Sequence, residues 1–154
     1  RCREAIPGVT AVCKSGRHAH YNIFISMKKM SEGDPARAAA AAFTFDHTKN
    51  VFVFDDDIDV FNPTDILWAF ATRVQPHRQI SILQPLFRGN FLDPSLLDEI
   101  KTSGMIVDAT RPLDRPFSPV SKCPEEAMER IKLENFIPGE VLQHIPIDRT
   151  TYWA

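Results

Sequence analysis

The chain has 154 residues, 44% of them hydrophobic, and a net charge of −2, which is one domain's worth of material able to bury about two-thirds of its unfolded surface. Residues 1–50 carry 8 basic and 4 acidic side chains and residues 51–100 carry 3 and 8, a mild basic excess without the Lys/Arg runs and interleaved aromatics of a nucleic-acid surface, so no nucleic-acid partner is expected. Cys2, Cys13 and Cys123 are odd in number and form no CxxC pair, which points to reduced thiols in a cytoplasmic chain. No apolar run approaches the roughly 18 residues of a membrane span, and no signal pattern opens the sequence.

The chain begins at Arg1 without an initiating Met and enters a strand almost at once, as expected of a piece of a longer polypeptide. Residues 8–13, GVTAVC, and 20–27, HYNIFISM, read as neighbouring strands joined by a turn at Ser15-Gly16. Asp34 and Pro35 then read as cap and first turn of a helix that includes five consecutive alanines, Ala38 to Ala42. Its small side chains suit tight packing against a sheet or another subunit.

Val51 to Phe54 is a short unbroken apolar run, the pattern of a central strand covered on both faces. It runs into Asp55, Asp56, Asp57 and Asp59, and then into a helix start marked by Asn62, Pro63 and Asp65. Ile66, Leu67, Phe70, Ala71 and Val74 supply a stripe expected to face the sheet. The four carboxylates admit two readings. They could hold Mg²⁺ at a strand end for phosphoryl chemistry, or form a solvated loop beside a helix N-terminus. No Gly-rich phosphate loop and no second acid cluster accompanies them, so the structural reading leads.

Gln79 to Leu83 reads as a further strand closing a strand-helix-strand unit, which favours a parallel or mixed sheet with helices packed on it. Residues 85–104 read as a long irregular connection, with Asp93-Pro94-Ser95 opening a short helical turn, and residues 104–110 as another buried strand. Asp108 and Thr110 are expected to hydrogen-bond the turn after it. Beyond Pro112 the prolines punctuate an extended segment, a helix is expected over 124–136, and the tail carries Val141, Leu142, Ile145, Ile147, Tyr152 and Trp153 without a period. This divides the chain into an α/β domain over 1–120 and a C-terminal helix and tail over 121–154, docking on the domain or on a partner subunit.

Four stretches in this order, IPGVTAV at Ile6–Val12, GRHAHYNIFISMKK at Gly16–Lys29, VFVFDDDIDVFNPTDILWAFATRVQP at Val51–Pro76 and MIVDATRP at Met105–Pro112, resemble the C-terminal region of the UbiD family, decarboxylases and carboxylases that use prenylated flavin mononucleotide (FMN). The resemblance implies an α/β class fold, a three-layer α/β/α domain with a mixed sheet, that helps build a homo-oligomer. It also implies chemistry through a flavin–substrate adduct, with a divalent metal and potassium beside the cofactor and an Arg and two Glu handling protons. No stretch here matches the motif of those three residues, so no catalytic residue is assigned, and the N-terminal flavin-binding region is the implied partner. The GRHAH and DATRP elements look most like the branch acting on hydroxyaromatic acids.

Family members typically place a Lys before the strand corresponding to MIVDAT, toward the flavin phosphate. Gly104 stands there in this chain, with Lys101 three residues earlier as the candidate cofactor contact against the alternative of an exposed loop lysine. Arg17, His18 and His20 fall where the family's strand approaches the substrate. Arg17 could pair a carboxylate and a His could hydrogen-bond a phenol, the alternative being a turn arginine and two surface histidines. The functional expectation is a domain of an aromatic, hydroxyaromatic or unsaturated acid decarboxylase or carboxylase, inactive alone. The rival from a different class is a non-catalytic assembly module.

Overall fold

The computed structural model describes residues 6–14, 21–45, 47–88, 92–96, 101–118 and 124–143. The chain divides into two compact units, Arg1–Pro116 and Phe117–Ala154.

The first unit is built on five strands: β1 (Val9–Lys14), β2 (Asn22–Met27), β3 (Asn50–Asp55), β4 (Ile80–Arg88) and β5 (Lys101–Ala109). They lie in the order β1-β2-β3-β5-β4. The three inner strands run parallel, and the two edge strands pair antiparallel to their neighbours. Helix α1 (Asp34–Ala42) connects the parallel neighbours β2 and β3. Its Ala38, Ala39 and Ala42 are fully buried in one cluster with Ile23, Ile25, Val51 and Val53. Alanines on this face let the helix backbone lie close to β-branched side chains that supply the bulk. The residues alternating with these along β2 and β3, Phe24, Phe52 and Phe54, belong to the opposite face. There they pack with Ala69 of α2 (Pro63–Arg73) and with Val107 and Ala109 of β5. The result is the expected three-layer α/β/α arrangement.

Several local expectations are corrected. Helix α2 presents Ile66, Ala69 and Arg73 inward, at spacings of three and four, while Leu67 is 66% exposed and Phe70 37%. A broad apolar arc contains more residues than one sheet face can cover, and the part that faces out is set by the sheet's edge. The β3-α2-β4 unit is not a parallel crossover, because the chain passes through the short helix α3 (Pro76–Gln79) to the outer edge and β4 returns antiparallel to β5. Residues 85–88 and 101–104 belong to these two strands rather than to an irregular connection. The turn expected to open at Asp93 does begin there: its carboxylate accepts from the Ser95 N–H at 3.0 Å and Ser95 Oγ at 2.7 Å, and its carbonyl accepts the Leu96 N–H at 3.1 Å. Residues 97–100, over which it was expected to continue, lie outside the described residues. Asp34 is the first helical residue rather than the cap. Its carboxylate reaches back to the N–H groups of Met30 (3.0 Å) and Ser31 (2.9 Å), donors left open by the preceding turn.

The second unit contains α4 (Glu125–Arg130), a 3₁₀ turn at Leu133–Asn135 and α5 (Gly139–Leu142), so the helix expected over 124–136 is shorter and interrupted. Ile145, Ile147, Tyr152 and Trp153 lie outside the described residues. Among the described residues no helix is long and apolar enough to cross a membrane.

Candidate functional site

Parallel strands end at a common edge, and in layered α/β sheets that edge is where side chains from several loops converge. Here β3 and β5 are in register from Asn50–Met105 to Phe54–Ala109, so the carboxylate that ends β3 meets the chain just leaving β5. Asp55 accepts the Arg111 N–H at 2.9 Å and Arg111 Nε at 3.2 Å. Arg73, the last residue of α2, donates through Nη1 to Asp55 Oδ2 at 2.8 Å. It also takes Asp57 bidentately, Nη1 to Oδ1 at 2.9 Å and Nη2 to Oδ2 at 2.8 Å. The Arg73 side chain is 1% exposed and lies over the Trp68 ring with its guanidinium carbon 5.3 Å from the centroid.

Lys29 and Glu32, on the loop between β2 and α1, complete this corner. Lys29 Nζ pairs with the Glu32 carboxylate and donates to the Arg111 carbonyl at 3.1 Å, and Glu32 Oε1 accepts the Leu113 N–H at 2.6 Å. Three cations and three carboxylates therefore neutralise one another. Burial of its carboxyl pushes the Asp55 pKa up, although the Arg111 N–H and both guanidinium charges pull against it. The Arg73 hydrogen bonds and charge hold Asp57 below the usual carboxylate range despite partial burial. Burial opposes the charge on Arg73 itself, and the contacts to Asp57 and Asp55 outweigh it and raise its pKa. Two carboxylates held by guanidinium groups suit structural fixation and are poorly placed to accept a substrate proton.

The remaining acids of the run diverge from the corner. Asp59 Oδ1 accepts the Phe61 N–H at 2.9 Å in the approach to α2, and Asp56 is exposed. Among the described residues no group of three His, Cys, Asp or Glu side chains could hold a metal ion. Asp108 Oδ1 accepts the Thr110 N–H at 3.0 Å and Thr110 Oγ1 at 2.6 Å, the turn role expected from the sequence.

Lys101, singled out as the cofactor contact, belongs to the opposite edge. Lys101 is exposed at the start of β5, roughly 26 Å along the strand from its far end. Arg17, His18 and His20 lie outside the described residues, but the strand ends that flank them, Lys14 of β1 and Asn22 of β2, sit on the edge from which β5 also starts. That edge carries Lys49, whose Nζ donates to Asp93 Oδ2 at 2.8 Å and to Ser95 Oγ at 2.7 Å, and a hydrogen bond of 2.8 Å from Asn50 to Asn22. Lysine 49 and its two partners were not anticipated: a salt bridge across 44 residues leaves no local signature.

A third feature is an apolar groove of about 430 Å³ between α2 and the sheet, where Phe24 and Phe52 stack at 5.1 Å beneath Phe61, Leu67 and Phe70. The Cys13 thiol borders it, its pKa raised by burial and by the charge of Asp59. The groove is lined almost wholly by carbon and offers surface for packing rather than groups for proton transfer.

A family model described as the 3-octaprenyl-4-hydroxybenzoate carboxy-lyase C-terminal domain, UbiD_C, matches residues 1–109. Anhydromevalonate phosphate decarboxylase of Aeropyrum pernix is 42% identical over 116 residues, 73% of this chain and 26% of that protein. Phenolic acid decarboxylase of Sedimentibacter hydroxybenzoicus is 32% identical over 115 residues, 72% of this chain and 24% of that protein. Among solved structures, the UbiD-class enzyme HmfF from Pelotomaculum thermopropionicum in complex with FMN superposes with a TM-score of 0.73 at 35% identity, covering 88% of this chain and 31% of that one. An evolved dimeric form of HmfF in complex with prFMN gives 0.65 at 32% identity, covering 88% and 28%. The chain thus spans about a quarter of the length of the curated relatives it matches.

Proposed function

The chain belongs to the UbiD family, as its C-terminal domain, and from that premise we propose that it works as the C-terminal domain of a prenylated-FMN-dependent decarboxylase or carboxylase in the cytoplasm. Its substrate is an aromatic, hydroxyaromatic or unsaturated carboxylic acid, and the catalytic Arg and Glu groups are supplied by an N-terminal flavin-binding region. One observation carries the reading: the family match over residues 1–109 coincides with the folded sheet, since all five strands end by Ala109.

Identity supports keeping the substrate class broad. The relative at 42% is named for anhydromevalonate phosphate, a phosphorylated acid that is not aromatic, whereas the one named for phenolic acids stands at 32%. The flavin, when bound, supplies the electron sink for carbon–carbon bond cleavage. A divalent metal and potassium are the companions that the family implies for the flavin in the whole enzyme. Toward the flavin phosphate this chain offers Lys101, exposed and charged at the edge that also carries the ends of β1 and β2 flanking Arg17, His18 and His20. A point charge on a flexible stem suits that task.

The experiment compares the 154-residue chain with the same chain joined to its N-terminal region, both supplied with prenylated FMN. The joined protein is expected to retain flavin absorbance and to release carbon dioxide from an acid in a panel spanning phenolic, other aromatic and phosphorylated unsaturated acids. The chain alone is expected to do neither. Turnover by the chain alone would overturn the proposal, and so would a joined protein inert on the whole panel. A second reading, assembly of the oligomer, is favoured by Phe61 at 65% and Leu67 at 66% exposure beside the apolar groove. Replacing both by Ser should lower the oligomer's sedimentation coefficient if that face is an interface. Lys101→Ala should weaken flavin retention if the site-forming role is correct.

A further inference from the structure

Between the last core residue of β5, Ala109, and the end of the first unit at Pro116, the chain has no large buried apolar side chain. Thr110 is buried through its turn with Asp108, Arg111 and Pro112 are half-buried, and Leu113 to Pro116 are exposed. What holds this stretch is polar and comes from two other loops. Asp55 accepts from the Arg111 N–H and Nε, Lys29 Nζ donates to the Arg111 carbonyl, and Glu32 accepts from the Leu113 N–H. Asp57 adds a looser pair to Arg111 at 3.6 Å.

The two layers of this cluster differ in depth. Arg73 is 1% exposed and joins α2 to β3, and Asp55 and Lys29 are likewise buried at 8% and 3%, whereas the side chains of Arg111 and Glu32, the other halves of their pairs, are 40% and 57% exposed. Each pair has one member open to water, so parting it costs less than opening a sheet, and segments without apolar anchors occupy the low-stability end of a protein's local openings. We propose that residues 111–116 form a latch that opens while the sheet stays folded. Closed, the last residue held to the corner is Leu113. Open, it is Thr110. Glu32 and Arg111 are the releasable pieces, and the Arg73–Asp55 pair is the fixed plate on which they close. This inference does not depend on the proposed enzymatic role.

The test is amide hydrogen exchange read residue by residue by NMR on the 154-residue chain. The reporting amides are those of Arg111 and Leu113, both donated to carboxylates, against Val53 and Val107 in the buried strands. Glu32→Ala is expected to speed exchange at Leu113 by about tenfold or more, the usual consequence of losing a charge-assisted hydrogen bond, and to speed Arg111 as well. Val53 and Val107 should stay unchanged. Arg111→Met, which keeps the backbone N–H, is expected to produce the same local pattern. Unchanged exchange at Leu113 and Arg111 in both variants would overturn the latch. A rise shared equally by Val53 and Val107 would also overturn it, because the segment would then open only with the whole domain.

Discussion

Replacing Arg73 by Met tests the charged corner directly. The side chain is 1% exposed and gives three hydrogen bonds, one to Asp55 and two to Asp57. Removing one partner of a buried pair costs about 3–5 kcal/mol, because the other charge is stranded. Two features bring the expectation to the lower end. Asp57 is 35% exposed and regains water, and Asp55 keeps the N–H and Nε of Arg111. The expected loss is about 3 kcal/mol, which at a urea slope of about 1.5 kcal/mol/M lowers the unfolding midpoint by about 2 M. If the stranded charge is the cause, adding Asp55→Asn to Arg73→Met should recover about 1 kcal/mol, although Asp55→Asn alone destabilises. The deficit should also depend on pH. Losing Arg73 removes one of the causes holding the Asp55 pKa down, so the folded protein binds its proton more readily. An acid whose folded pKa lies above its unfolded value favours the fold below that window and loses this as pH rises. Arg73→Met should therefore be furthest from wild type at pH 7 and closer near pH 4. Urea titrations followed by circular dichroism at both pH values measure this. A midpoint within about 0.3 M of wild type, equivalent to about 0.5 kcal/mol, would refute the reasoning by showing that the guanidinium recovers no more than its desolvation.

In the wild-type protein Asp57 and Asp93 are held below the ordinary carboxylate range by Arg73 and Lys49 respectively, so their contribution is present above about pH 3.9 and disappears as pH falls through the folded values. Stability measured by urea unfolding from pH 7 to pH 2 should fall below pH 4, with Asp55 opposing the trend, and a flat profile would contradict the two depressed carboxyls. Gly8 has φ +101°, and a Cβ there would lie 2.6 Å from the Lys28 carbonyl oxygen. Gly8→Ala should thus cost about 1–3 kcal/mol in the same assay, and a neutral result would mean that the β1–β2 pairing relaxes around it.

The β2-α1-β3 unit and the β3-α2 junction were readable because their signals are local. An unbroken apolar strand, an Asn cap with Pro behind it and an alanine run each declare themselves within a few residues, and Asn62 does accept the Thr64 N–H at 3.0 Å. The placement of β4 was not readable. Gln79 to Leu83 alternates in the same way whether the strand joins β3 in parallel or β5 in reverse, and that choice rests on pairings such as Ile82–Met105 that lie far apart in sequence. Helix α2 shows the same limit at smaller scale. Periodicity located an apolar arc but not its inner edge, and an arginine at that edge reads as solvent-facing until its two carboxylates are known.

The acid run illustrates why chemistry read from composition stays open until topology closes it. Asp55 and Asp57 are the same residues whether they face a cation from solution or one supplied by the chain, and the deciding partners lie at Arg73 and Arg111, 18 and 56 residues from Asp55. Both arginines were visible, but only inside the motifs ATR and DATRP, where nothing local links them to the end of β3. The parallel register of β3 and β5 makes that link, because it brings the residue after Phe54 beside the residues after Ala109. Once three cations and three carboxylates share one corner, a bound divalent metal would have to displace an arginine already delivered by the fold, at the expense of leaving a buried guanidinium unpaired. The same balance explains how a dense carboxylate cluster can sit at the carboxyl edge of an α/β sheet and serve architecture: its charges are matched within the domain, and the corner ties the end of β3 to α2 and to the segment that follows β5.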